Sequence, residues 1–321
     1  MMTELSNSPS VSEASESPSN YKPFLTLDQQ VKLLRDRDLA IHNEQFAKDT
    51  LEDSSYYRFS GYSLTLRKDD HFFPGVTFED VTDIYNFDQA LRSLLFQYLH
   101  IIEVRIKSVY AYEFAKMYGP KGYTDPTKFK HTKASDIKSI LKNIENMRKR
   151  GYHDELFLRH YKNEQLLPIW VLIELFTFGN LSRIYQRSKD ELKIAVAVEL
   201  RKDHKKIKNI SYFGKNLRCL NTLRNFCAHG SRLFNRVFYR KPALSSKERK
   251  LLNYSESSQL YGFKQSAPDN SHLYGFILVM KSLLRDNDFD ALKSSIIALE
   301  ARYPKIDMGY YGFPKGWEST I

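Results

Sequence analysis

Arg218, Asn221, Asn225 and His229 follow one another at i, i+3, i+7 and i+11 in a stretch, Tyr212 to His229, whose apolar spacing predicts one helix. They therefore share a polar stripe, while Phe213, Leu217, Leu220 and Cys227, widened by Leu223 and Phe226, form the face expected to turn to a core. Arg224 adjoins Asn225 and is long enough to bend toward it, and Arg232 lies just past Gly230. An Arg, an Asn and a His thus converge on one helix end. An imidazole titrates near neutrality and serves as general acid or general base. A guanidinium donates in bidentate fashion to phosphoryl oxygens, and a carboxamide orients a hydroxyl or fixes one imidazole tautomer. These groups suffice to cleave RNA without a metal. The spacing alone is unspecific, since Arg-x4-His occurs three times, at Arg37, Arg148 and Arg224. Only the third has Asn after the Arg, a small residue before the His and a two-faced helix around it.

The surroundings of that helix end are cationic. Residues 201–250 hold 15 basic and two acidic side chains, a net of +13, against +11 for the whole chain, so the other 271 residues sum to −2. A second basic stretch, residues 116–162, has a net of +7. Charge concentrated in this way suits a polyanion such as nucleic acid, and the alternative is a solvated basic face with no such partner. If the partner is RNA, Arg218, Arg232, Arg236, Lys202, Lys205, Lys206 and Lys208 are the candidate contacts.

The elements that must position these groups are helices. Hydrophobic residues make up 42% of the 321-residue chain and aromatics 14%, too much for a disordered polymer and enough for a sizeable core. Residues 1–20 are Ser-rich and free of aromatics, and a disordered tail is expected there, followed by a single domain over residues 21–321. No apolar run reaches the roughly 18 residues of a membrane span, and the polar start does not match a secretory signal. Cys219 and Cys227 lie eight apart on one predicted helix, about 12 Å along its axis, too far for a disulfide. The expectation is a cytoplasmic protein. The capping-box spacing Thr26-Leu27-Asp28-Gln29 opens a helix to about Asp38, and another is expected over His42 to Leu51. Ser63 to Leu66 and His71 to Phe73 around Lys68-Asp69-Asp70 predict a small hairpin. The longest periodic run, Thr77 to about Tyr118, predicts a long helix stopped by Gly119-Pro120. Further helices are expected at Lys133 to Arg150, Leu167 to Gln186, Glu191 to Leu200, His272 to Leu284 and Phe289 to Tyr303. The fold class is all-α with at most a small β-hairpin. The remaining histidines show no ligand-like spacing, and no metal or cofactor is assigned.

Arg224-Asn225-Phe226-Cys227-Ala228-His229 resembles the R-[polar]-x3-H signature of HEPN (higher eukaryotes and prokaryotes nucleotide-binding) domains. Tyr56-Tyr57-Arg58-Phe59-Ser60-Gly61-Tyr62 is similar to a segment of the abortive-infection Abi family of the AbiD/AbiF type. So are Phe78-Glu79-Asp80-Val81 with Tyr85-Asn86-Phe87-Asp88, Pro168-Ile169-Trp170 with Glu174 and Phe178-Gly179, and the closing Gly312-Phe313-Pro314-Lys315-Gly316-Trp317. The motifs keep the family's order over about residues 22–317. The resemblance implies a HEPN-like helical bundle with additional helices, its core at about residues 77–300. It implies a metal-independent endoribonuclease of phage defence or toxin–antitoxin systems, in which the ribose 2′-OH attacks the adjacent phosphate. His229 is then general acid or base, Arg224 stabilises transition-state charge, Asn225 positions, and a homodimer forms a composite site. AbiF-like members resemble systems in which a small noncoding RNA restrains the protein.

Supporting residues carry two readings each. Glu103 and Arg105 stand in an apolar neighbourhood, where a buried Glu needs a cation and Arg224 is a candidate; the alternative is a purely structural pair. Arg58 with Tyr56, Tyr57 and Tyr62 suits stacking of RNA bases, or core packing. Asn235 and Arg236 suit phosphate contacts, or a solvated loop. Two functions remain in play: an RNA-cleaving effector, and an RNA-binding protein held by its cognate RNA with little nuclease activity. A toxin silenced by a nucleotidyltransferase is disfavoured, because Gly230, Ser231 and Arg232 stand where such toxins carry a Tyr.

Overall fold

In the computed structural model the chain is described over residues 23–130, 134–149, 166–200, 210–252 and 270–321. Lys202, Lys205, Lys206 and Lys208, and the expected tail, lie outside the described residues. The described residues form thirteen α-helices, four short 3-10 turns and one two-stranded hairpin, so the protein is all-α with a small β-hairpin.

The architecture is organised around α4 (Phe78–Tyr118), a 41-residue helix about 60 Å long. Its start is local chemistry: Thr77 and Asp80 form a reciprocal capping box, and Gly119 at φ +77° ends it. Nineteen of its side chains are buried, on more than one side, because other helices surround it. α8 (Asp190–Leu200), α9 (Ile210–Ala228) and α12 (Asp286–Arg302) make its main packing contacts. α6 (Ile169–Leu172), α7 (Phe178–Arg187) and α11 (Leu273–Leu283) complete the surround, and α5 (Ala134–Lys149) packs on α7. Contacts of Glu103 with Arg224 at one level and of Asp88 with Leu233 at another run α4 and α9 antiparallel.

The N-terminal helices α1 (Leu27–Arg35), α2 (Glu44–Ser54) and α3 (Tyr56–Tyr62) cover the start of α4. Phe59 of α3 stacks on Phe78 at 4.4 Å. α10 (Ser246–Lys250) and α13 (Trp317–Thr320) are short and escape the sequence pattern. One connected hydrophobic cluster runs from Val31 to Trp317.

Two expectations need correction. The hairpin strands are β1 (Arg67–Lys68) and β2 (His71–Phe72), not Ser63 to Leu66. Asp69 and Asp70, both at positive φ, make the two-residue turn, and that geometry fixes the register. The helix expected over Leu167 to Gln186 is broken. A 3-10 turn follows α6, Phe176 is extended, and the Thr177 hydroxyl caps α7 by accepting from the Asn180 amide. Apolar residues on both sides of the break hide it from periodicity.

Candidate active site

α9 ends in a fully formed Schellman turn. The Ser231 amide donates to the Phe226 carbonyl at 2.9 Å and the Gly230 amide to the Cys227 carbonyl at 3.4 Å, with Gly230 at φ +65°. His229 therefore occupies the helix terminus itself and is exposed, with no side-chain hydrogen-bond partner among the described residues. Its neighbours on the inner face are held: Leu223 and Cys227 are buried in the core. Burial pushes the Cys227 thiol up to about 12 and the Cys219 thiol up to about 11, so both are inert at neutral pH.

Arg224 points toward α4. Its Nε lies 3.7 Å from Glu103 Oε2, its guanidinium sits 5.4 Å over the Phe96 ring, and its Nη1 is 3.5 Å from Asn225 Oδ1. Glu103 is buried and lies 3.6 Å from Lys107 Nζ as well, and Lys107 reaches the Glu174 carbonyl at 3.4 Å. Arg224 is thus oriented by a buried carboxylate and an aromatic ring while a third of its side chain stays exposed. Asn221, one turn before Asn225, packs against Gly179 at the start of α7. The Phe178-Gly179 motif therefore meets the helix that carries Arg224 and His229.

Three more guanidinium groups gather at the helix end. Arg58 on α3 donates from Nη1 to the Gly230 carbonyl at 2.7 Å. Arg232 donates to the Gly61 carbonyl, and Arg236 donates from Nε to the Arg232 carbonyl at 2.5 Å while covering the Phe226 ring at 4.7 Å. Burial and the neighbouring Arg232 charge pull Arg236 below its ordinary range. From Arg224 to Lys241 the chain has five cations and no carboxylate.

The remaining candidates lie elsewhere. Arg218 is exposed but about 16 Å back along α9 from His229. Arg105 donates from Nη1 to the Leu283 carbonyl at 2.5 Å and closes the end of α11, apart from Glu103. Of the aromatic cluster, Tyr62 is core, Tyr56 accepts from Arg37, and Tyr57 is 89% exposed.

Sequence reasoning missed the anchor of the site. Asp88 is completely buried on α4 and is paired with Arg92. It accepts from Tyr62 Oη at 2.7 Å, Tyr311 Oη at 3.1 Å, the Phe234 amide at 2.9 Å and the Leu233 amide at 3.2 Å. Burial pushes its carboxyl up, against the pull of Arg92 and the hydrogen bonds. Every neighbour is a donor, so the carboxylate is the form the surroundings fit. Asp88 ties the loop after His229 to α3, α4 and the C-terminal segment. Its only trace in the sequence is the Tyr85-Asn86-Phe87-Asp88 motif, which carries no hint of its partners.

Among the described residues, no group of three His, Cys, Asp or Glu side chains is arranged for a metal, and no helix is long and apolar enough to cross a membrane. The fold and site define an all-α protein with a cation-rich helix end presenting an exposed imidazole. The family model of Abi-like proteins matches residues 49–235, more than half of the chain, and the chain belongs to that family, with its role in abortive infection. Neither the curated proteins nor the solved structures contain a match.

Proposed function

We propose that this Abi-like protein is a HEPN-type, metal-independent endoribonuclease that acts as an abortive-infection effector. The observation that carries the reading is the exposed His229 at the end of α9, one turn beyond Arg224 and Asn225, in a loop held by Arg58 and free of carboxylates. In the reaction a base takes the proton of the ribose 2′-OH and the 2′-oxygen attacks phosphorus. The 5′-oxygen leaves with a proton from an acid, giving a 2′,3′-cyclic phosphate and a 5′-OH end. Arg224 stabilises the charge that builds on the phosphoryl oxygens, and Asn225 positions. One His229 cannot be acid and base in the same step, and each chain has one such motif. A homodimer that joins two copies of the helix end supplies both.

A second reading has its own support. Arg224 is engaged by Glu103 and Phe96, and the His229 side chain has no hydrogen-bond partner among the described residues. A lone chain is then not assembled for chemistry, as expected of a protein held by a cognate small noncoding RNA.

His229→Ala discriminates between them. The nuclease reading expects cleavage to fall on the order of 10²–10⁴-fold or more, and growth arrest to vanish, with RNA binding retained. Mapping of RNA ends by sequencing and a growth assay measure this. Undiminished cleavage with cyclic-phosphate ends in the purified variant removes His229 from the chemistry. Absence of such ends in the parent protein, with RNA bound, favours the second reading.

A further inference from the structure

Two tyrosines next to residues that touch this helix end stand out of the fold. Tyr57 is 89% and Tyr239 is 97% exposed, values at which a large ring gains nothing from the fold. Each is presented by a neighbour that is fixed. Arg58, next to Tyr57, is bound to the Gly230 carbonyl, one residue beyond His229. Phe238, next to Tyr239, is buried, stacks on Phe226 of α9 at 5.6 Å and donates its amide to the Ser271 carbonyl at 2.7 Å. Between the two supports lie Arg232 and Arg236, tied to each other, and Arg240 and Lys241 follow Tyr239 directly.

Both rings are thus carried next to residues that touch α9 or the turn after it, among the guanidinium groups of that helix end. We infer that Tyr57 and Tyr239 are base-stacking platforms for an unpaired RNA strand at the helix end that carries His229. The inference rests on the endoribonuclease reading for the identity of the site and adds the substrate class: single-stranded RNA rather than duplex. A positive track follows any backbone, but an exposed aromatic face adds binding only where a base is unstacked and free to lie on it. In a duplex both faces of every internal base are already occupied. A protein partner is the weaker alternative, because aromatic anchors in protein interfaces sit among apolar neighbours, whereas Arg58 adjoins Tyr57, and the segment from Arg224 to Lys241 that holds Tyr239 carries five cations and no carboxylate.

The test measures binding in the full chain carrying His229→Ala, so that the probe is not consumed. The probes are a short fluorescein-labelled single-stranded RNA of mixed sequence and the same strand annealed to its complement, read by anisotropy. Tyr57→Ala and Tyr239→Ala should each weaken the single strand by about fivefold to a hundredfold and leave the duplex within about twofold. Tyr57→Phe and Tyr239→Trp, which keep a ring and drop the hydroxyl, should restore affinity. The slope of binding against salt should not change, since no charge is removed. Unaltered single-strand affinity in both Ala variants overturns the inference, and so does an equal loss on duplex. Dissociation of an assembly in sedimentation with RNA affinity intact overturns it in favour of a protein contact. The two readings fail separately: cleavage tests His229 in the parent protein, whereas the tyrosines are scored only by binding in the variant that cannot cut.

Discussion

Asp88 shows how much one side chain can organise. Four donors and a paired guanidinium converge on a carboxylate with no exposed surface, and two of the donors are amides of the loop that follows His229. The Tyr hydroxyls can rotate to suit another partner, but the Leu233 and Phe234 amides can only donate. Asp88→Asn removes the charge that Arg92, 5% exposed, was desolvated to meet, and turns an amide NH2 toward groups that also donate. Breaking a buried pair in this way costs about 3–5 kcal/mol. Urea unfolding should show a loss of that size, and a change below about 1 kcal/mol would mean that water or a shifted Arg92 replaces the network. At this scale the sequence was partly legible. Arg224, Asn225 and His229 stand out because their spacing is local, along one helix. Asp88 does not, because its partners lie 26, 145, 146 and 223 residues away, and no spacing rule reaches so far. Glu103 is intermediate, since its burial and its pairing with Arg224 were readable from its apolar neighbours but its second cation, Lys107, was not.

At the scale of elements, helix ends do the positioning. His229 projects because Gly230 adopts a left-handed conformation that turns the chain off α9 at once, and the carbonyl of that same glycine is the acceptor for Arg58. Gly230→Ala places a Cβ in a region that costs an L-residue about 1 kcal/mol, and only 3.2 Å from Arg58 Nη1. The variant should lose about 1–2 kcal/mol of stability and lose proportionally more RNA cleavage than stability, since Arg58 and His229 are displaced together. Thermal unfolding measured beside single-turnover cleavage checks this, and cleavage that stays at the parental rate would show that the turn is not what orients His229. Boundaries governed by such local chemistry were readable from sequence: Thr26 with Gln29 caps as the spacing says, and the periodic run was placed from Thr77, which caps α4 with Asp80. The break at Phe176 was not, because Thr177 is a cap set between apolar residues on both sides, and tertiary packing against α4 and α5 decides that the chain bends there. The hairpin was readable as to existence and displaced by residues at one strand, because Asp69-Asp70 rather than the hydrophobic pattern sets its register.

At the scale of the molecule, the proposed reaction needs two proton-transfer groups, whereas each chain offers one imidazole at its helix end. Phe96, His100 and Val104 recur every fourth residue on the exposed side of α4, and Phe96 lies under the Arg224 guanidinium. The proposed homodimer joins two copies of the α9 end, beside this face, and only residues close to the two-fold axis of such an isologous contact meet their own equivalents. If every active centre needs His229 from both copies, a chain carrying His229→Ala poisons each dimer it enters. Wild-type and variant chains mixed in equal amounts and allowed to exchange should then leave about one quarter of the activity of the same total of wild-type chains, the share of dimers with two intact copies. Independent sites would leave about half. The measurement is a mixing series followed by cleavage of labelled RNA, with mass photometry confirming exchange, and a linear decline with variant fraction would refute the composite site. The same experiment separates chemistry from charge, because a basic surface acting as a simple RNA trap has no reason to depend on the square of the wild-type fraction.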